Sequence, residues 1–274
     1  MIVKCLIENT SLDANFESEH GLSLYIESQK HKILFDLGAS DIFIRNAAKL
    51  SVDLSDVDIV IISHGHNDHG GGLKKFLEIN SKAKIYITKT AFTNHYSIRK
   101  DGSLKYNGLD QNLITNERLV FTDKYLKIDD ELTLFSQVKV DRKIASINQY
   151  LLMEEDGKLI RDDFSHEQNL LVKQNDDYVL FGGCAHIGIV NIINESSKIL
   201  NKFPVYVISG FHLFSRSRAT NESDTSILEL AEILLKSKAK YYTCHCTGQY
   251  AYKILKNKMG TNLEYLSGKR IIEI

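Results

Sequence analysis

The chain has 274 residues, 43% of them hydrophobic and 25% charged, with a formal net charge of −1. That length and balance are ordinary for a soluble globular protein and leave room for one large α/β sandwich. The near-neutral charge excludes a global field that would draw the chain to nucleic acid or to a membrane surface, and the longest apolar runs are far too short to span a bilayer.

No apolar stretch near the N-terminus is long enough for a secretory signal, so a cytoplasmic location is expected. In that compartment Cys5, Cys184, Cys244 and Cys246 need no disulfide framework, and Cys244 and Cys246 stand too close for an ordinary bridge. No linker, repeat or low-complexity tract divides the chain, so residues 1–274 are expected to form a single domain.

Three short β-type runs open the sequence at residues 2–7, 22–26 and 32–35. Gly38 then breaks the pattern, and Ser40 is a good cap for a helix carrying Phe43, Ala47 and Leu50 on one face. Residues 58–62, apolar without a break from Ile59, read as a strand buried on both faces. After an interruption of histidines and glycines, Leu73, Phe76 and Leu77 resume helical spacing, and residues 84–88 read as a strand. Residues 92–140 are irregular and polar, a candidate flap with short strands such as 132–135. Residues 168–173 and 178–181 suggest a hairpin across Gln174-Asn175-Asp176-Asp177. A helix over 189–200, a strand over 205–208 and a helix capped by Asp224 and running to Lys236 follow. A strand over 240–243 and a helix with Ala251 and Leu255 come next, and residues 270–274 would close a sheet edge.

The chemistry concentrates in Ser63-His64-Gly65-His66-Asn67-Asp68-His69-Gly70-Gly71-Gly72. Three histidines and an aspartate fall within six residues, between a strand and a helix. Such a loop can turn its imidazoles toward one point while the glycines let the backbone bend close to an ion. Imidazole and carboxylate together suit zinc, iron or manganese at neutral pH. A solvated surface loop would explain one histidine but not four ligand-type residues at this spacing.

This H-x-H-x-D-H stretch resembles the signature of the metallo-β-lactamase superfamily. The resemblance implies a four-layer αββα sandwich with two divalent metal ions at its rim, zinc first, with iron or manganese as alternatives. It implies His64 and His66 as ligands of one ion, and Asp68 and His69 as ligands of the other. Phe35-Asp36-Leu37-Gly38 resembles the early strand whose Asp orients a metal-bound histidine; Asp36 could otherwise simply begin a turn. Many members carry a bridging Asp where this chain has Gly182-Gly183-Cys184-Ala185-His186. Here Cys184 or His186 takes over or the bridge is lost, with His186 favoured as third ligand of the first ion. His245, in Cys244-His245-Cys246-Thr247-Gly248, resembles the last histidine of the second site, although Cys-His-Cys could form a separate zinc site. Glu19-His20-Gly21-Leu22-Ser23, Gly210-Phe211-His212-Leu213 and the two late motifs narrow the resemblance. They point to the dihydropterin-type synthases of methanopterin biosynthesis and related metal-dependent hydrolases.

His212 could be a general acid, a substrate hydrogen-bond donor or a core histidine. His166 and His20 could reach the site, with a surface role favoured, while His31 and His95 read as ordinary surface residues. Arg216 and Arg218 could bind an anionic substrate or sit in a solvated loop. Two cations roughly 3.5–4 Å apart can share a hydroxide and bring the pKa of water toward neutrality. The expected function is therefore a metal-dependent hydrolase using that hydroxide on a small, anionic, phosphorylated substrate. Asp68 would hold one metal and orient the nucleophile, and His212 would assist the leaving group. The alternative is a pterin-type phosphoribosyl transferase or synthase on the same metals. A di-iron redox protein would need a carboxylate where His66 stands, and a non-catalytic metal-dependent binding protein is the remaining class.

Overall fold

A computed structural model describes residues 1–274. Two seven-stranded sheets face each other. The first runs Ile271–Glu273, Ile2–Ile7, Ser23–Glu27, Lys32–Phe35, Ile59–Ile61, Lys84–Thr88, Leu119–Thr122. The second runs Leu263–Tyr265, Lys240–Thr243, Tyr206–Ser209, Asp177–Phe181, Gln168–Gln174, Leu132–Ser136, Tyr125–Lys127.

The strand sequences explain the four layers. Side chains alternate faces along a strand. Ile33, Phe35, Ile59 and Ile61 of the first sheet therefore pack against Leu170, Val172, Val179 and Phe181 of the second, forming the inner core. The intervening Leu34 and Val60 point outward, beneath Phe43, Ala47 and Phe76 of helices Ile42–Lys49 and Leu73–Ile79. On the far side, Leu171, Leu180 and Val207 pack beneath Ile192, Ile227 and Leu255 of helices Ile189–Leu200, Asp224–Leu234 and Gln249–Met259. Strands buried on both faces are why residues 59–62 read as an unbroken apolar run. No helix is long and apolar enough to cross a membrane.

Local details differ from the sequence reading at three places. Asp41, not Ser40, occupies the cap of the first helix; Ser40 Oγ instead accepts from Ile42 N at 3.3 Å. Ser223, not Asp224, caps the helix Asp224–Leu234, its hydroxyl accepting from Ser226 N at 3.2 Å. The hairpin of the second sheet is tighter than expected: Gln174 pairs with Asp177, and the two-residue turn puts Asn175 at φ 54°.

Residues 92–140 are shared among three sheets. Leu119–Thr122 extends the first and Leu132–Ser136 the second. His95–Ile98 and Leu104–Tyr106 join Leu151–Glu155 and Lys158–Arg161 in a separate four-stranded sheet.

The fold positions the site through its parallel strands. Lys32–Phe35 and Ile59–Ile61 run parallel in one sheet, as do Asp177–Phe181, Tyr206–Ser209 and Lys240–Thr243 in the other. All five end on the same rim, where open α/β sheets carry their ligand sites. Asp36, the 63–69 loop, Cys184 with His186, His212, and His245 with Cys246 follow these five ends directly.

Candidate metal centre

The loops at the rim are built under constraint. Asp36 (φ 62°), Ala185 (φ 56°), His212 (φ 46°) and His245 (φ 52°) all adopt left-handed backbone conformations without being glycine. Each such residue costs on the order of 1–3 kcal/mol, and several together mark a place where packing holds side chains against local preference. Gly183 allows close approach: a Cβ there would collide with Ser63 Oγ, next to His64.

These constraints bring five imidazoles together. His64 and His69 lie with ring centroids 4.1 Å apart, His64 and His186 5.0 Å, His66 and His186 4.9 Å, and His69 and His245 4.9 Å. All five are buried. Each has one ring nitrogen facing an outer polar group. His64 Nδ1 meets Ser63 Oγ at 2.8 Å, and His69 Nδ1 meets Asp36 Oδ2 at 2.6 Å. His186 Nδ1 meets Asn148 Oδ1 at 3.3 Å, and His245 Nδ1 meets Asn9 Oδ1 at 2.9 Å. His66 Nε2 faces Asp162 Oδ2 across 3.7 Å.

The opposite nitrogens turn inward. His64 Nε2 and His186 Nε2 are buried with no hydrogen-bond partner, although buried polar groups are almost always paired. Ligand atoms of His64, His66 and His186 lie within 4.8 Å of one another. His69 Nε2 lies 3.2 Å from His245 Nε2, which is 3.2 Å from Asp68 Oδ2. An imidazole anchored by its outer nitrogen and presenting a bare inner one is the arrangement metal-binding histidines adopt. The donor set fits two divalent cations: His64, His66 and His186 at one position, Asp68, His69 and His245 at the other.

The electrostatics agree. Burial, with His69, His66 and His186 close by, holds His64 well below its ordinary pKa, and burial beside His212 and His66 does the same to His186. Both therefore offer neutral, ligating nitrogen. Burial works against the charge of Asp68, but hydrogen bonds from His20 and His245 keep its carboxyl well below the usual carboxylate range. Burial would depress His69 as well, yet the Asp36 carboxylate pushes it up to about 9.

Asp36 does more than begin a turn: fully buried, it accepts from Ser63 N at 2.7 Å and Ser63 Oγ at 2.8 Å besides holding His69. His212 lines the cleft above the site, 4.1 Å from the His186 ring, with Nδ1 buried and unpartnered. His20 also lines the cleft and reaches Asp68 Oδ2 at 3.2 Å. Cys184 Sγ lies 3.2 Å from His69 Nε2, inside the cluster.

Two expectations need correction. His166 and His95 are not surface residues; they are 1% and 0% exposed. Both clasp Asp162, His95 through Nδ1 at 3.0 Å and His166 through Nε2 at 3.2 Å. They belong to the support behind His66 rather than to the cleft. His31 keeps to a half-buried pairing with Asp129. Of the two arginines, Arg216 is exposed at the cleft wall. Arg218 is engaged elsewhere: it donates to Arg99 O at 2.6 Å and covers the Tyr150 ring.

Sequence reasoning also missed Asp162, Asn148 and Asn9, isolated residues with no motif around them. It missed Glu167 too, whose buried carboxylate accepts from His186 N at 2.8 Å and Ile187 N at 3.1 Å. Burial pushes that carboxyl up to about 7.

The model of the metallo-beta-lactamase superfamily matches residues 19–186. The chain belongs to the metallo-beta-lactamase superfamily. Within it, the chain is 29% identical over 274 aligned positions to the 7,8-dihydropterin-6-methyl-4-(beta-D-ribofuranosyl)-aminobenzene-5'-phosphate synthase of Methanocaldococcus jannaschii, covering 94% of this chain and 91% of that protein. An uncharacterised protein of the same organism is 28% identical over 252 residues, covering 90% and 91%. The crystal structure of Tm1679, described as a metal-dependent hydrolase of the beta-lactamase superfamily, superposes with a TM-score of 0.84 at 30% identity. It covers 100% of this chain and 99% of that one. The αββα architecture is thus that of the superfamily.

Proposed function

We propose that the protein is a metal-dependent hydrolase of small anionic, phosphorylated substrates. One observation carries the substrate class. The cleft over the histidine cluster, about 490 Å³ in volume, is lined by Arg99, Lys105 and Arg216, while Asp68 is its one carboxylate. Three cations converging on a cleft whose sole acidic group is committed to the metal centre favour an anion.

His64, His66 and His186 would hold one ion and Asp68, His69 and His245 the other. Divalent ions bound there would supply a water of lowered pKa and a Lewis acid for the scissile oxygen. The chain's own residues do the rest. Arg216, Arg99 and Lys105 bind and orient the anionic group. Asp68 orients the attacking water, and His212, facing the cleft beside His186, delivers a proton to the leaving group.

A second reading rests on the 29% identity to the methanogen synthase: a pterin-type transferase that takes a phosphoribosyl donor at the same metals and passes it to an aromatic amine. Two measurements test the readings. Elemental analysis of the His64→Ala, His66→Ala double variant should show loss of metal; full retention of two equivalents overturns the metal centre. Turnover in ¹⁸O-labelled water should place the label in the product; an unlabelled product formed only with an amine acceptor favours the transferase.

A further inference from the structure

The signature loop supplies four of the six donors and His186 and His245 the other two, yet a further, buried donor lies among them. Cys184 is 3% exposed, with its Sγ 3.2 Å from His69 Nε2. Its position relative to the two halves of the site is the informative fact. Ligand atoms within 4.8 Å of one another group Cys184 with His64 and His69, with His186 and His212, and with His245 and Cys246. It is therefore close to donors of the first position, His64 and His186, and equally to donors of the second, His69 and His245. A side chain next to both triads stands between them.

The backbone holds it there. Cys184 follows Gly182-Gly183 at the end of strand Asp177–Phe181, where Gly183 packs too tightly on Ser63 to accept a side chain. Ala185 then turns through a left-handed conformation, which sends His186 to the first position immediately after the thiol. Glu167 fixes the far side of that turn by accepting from His186 N and Ile187 N. The neighbouring Cys246 sits on the side of the second position, grouped with Cys184 and His245; its Sγ contacts the Cys184 carbonyl oxygen at 3.5 Å, and it packs on Gly210.

We propose that Cys184 is the bridging ligand of the metal pair, a thiolate shared by both ions. The inference rests on the metal-dependent reading of the site. On metal loading the S–H bond breaks, the proton leaves to solvent, and the sulfur lone pairs form one bond to each cation. Sulfur is a softer donor than carboxylate, so the pair should prefer zinc, cobalt or ferrous iron to magnesium or manganese.

Cobalt(II) is the probe. The chelated chain, reloaded with Co²⁺ alone, should retain two equivalents and show a sulfur-to-cobalt charge-transfer band in the near ultraviolet. Its two ions should be magnetically coupled in electron paramagnetic resonance. Cys184→Ser should abolish the band and the coupling, whereas Cys246→Ser should keep both. Cys184→Asp, which supplies a carboxylate bridge, should retain two equivalents without the band. It keeps the test sharp should the serine variant fold poorly; unchanged circular dichroism verifies its fold. Two bound cobalt ions without the band in the unmodified chain, or a band that survives in Cys184→Asp, would overturn the bridge while leaving the metal centre intact. Failure of the unmodified chain to retain any cobalt would instead bring down the metal-dependent reading itself.

Discussion

The buried carboxylate of Asp162 faces His66 Nε2 across 3.7 Å. Asp162 is itself held by two further histidines. Gly65 N donates to His166 Nδ1 at 2.9 Å, so the His166 proton sits on Nε2 and points at the carboxylate; His95 Nδ1 approaches from the other side at 3.0 Å. Burial opposes the charge on Asp162, but His166, His66 and His95 keep it ionised. A negative group behind a ligating imidazole fixes the ring and raises its basicity. Replacing Asp162 with Asn should therefore weaken metal binding by about 10–100-fold, the range typical of such outer partners. Competition with a chromophoric chelator measures this; an unchanged affinity would show that the Asp162 cluster only fills space.

Asp36 plays the same part for His69, with a second load. It also satisfies Ser63 N and Ser63 Oγ, and the serine hydroxyl in turn meets His64 Nδ1. Asp36→Ala removes one side chain and leaves three buried groups without their partner. The expected cost is about 3–5 kcal/mol in urea denaturation, the scale of breaking a buried ionic contact from one side. Metal should be lost from both positions together, because Ser63 links the two. Loss from the second position alone would sever that link.

Much of this arrangement was legible in the sequence. The histidine loop declares itself because its ligands are local, four within six residues, and because glycines follow at Gly70, Gly71 and Gly72. His186 and His245 were legible through their resemblance to the superfamily's later motifs, each lying just beyond a strand end in a glycine-containing turn. Asp162 and His95 were not. Each stands among other polar residues at the end of a short strand, and they meet only because His95 pairs with Met153 in the four-stranded sheet, placing it beside residue 162. No local period encodes that pairing. The same holds for residues 92–140: strands of three to five residues carry too few alternations to reveal which of three sheets they join. Cap positions went astray by one residue because Ser40 and Asp41, and Ser223 and Asp224, are adjacent residues of equal capping ability.

The metal-free chain should lose stability in mildly alkaline solution. His69 titrates at about 9 in the folded state because Asp36 faces it, against an ordinary imidazole value near 6.5. A raised folded pKa means that the native state binds the proton more tightly. The contribution is thus complete below about 6.5 and disappears as pH rises through about 9. Its size is on the order of 3 kcal/mol at most. Urea midpoints of the apoprotein should fall across this window, while those of the metal-loaded protein should not, since the cation takes the proton's place on His69. Competition between proton and cation also means that metal affinity should climb with pH up to about 9. A flat apoprotein profile would show that His69 and Asp36 are not paired as charges.

Arg216 and Arg218 should separate cleanly in kinetics despite standing two residues apart. Arg216 is exposed at the cleft wall, near Arg99 and Lys105, whereas Arg218 spends its guanidinium on the Arg99 carbonyl and the Tyr150 ring. Reversing the charge with Arg216→Glu removes one attraction and adds one repulsion at a partly screened site, about 1–2 kcal/mol in all. That corresponds to roughly a tenfold loss in kcat/KM for a phosphodiester. The same variant should leave a neutral ester nearly unaffected, and added salt should narrow the gap between unmodified chain and variant. Arg218→Ala should act more weakly, through the placement of Arg99, and should affect charged and neutral substrates alike if the cleft wall loosens. Equal losses on charged and neutral esters in Arg216→Glu would remove the electrostatic argument for an anionic substrate, because the arginine would then be shaping the wall rather than reading charge.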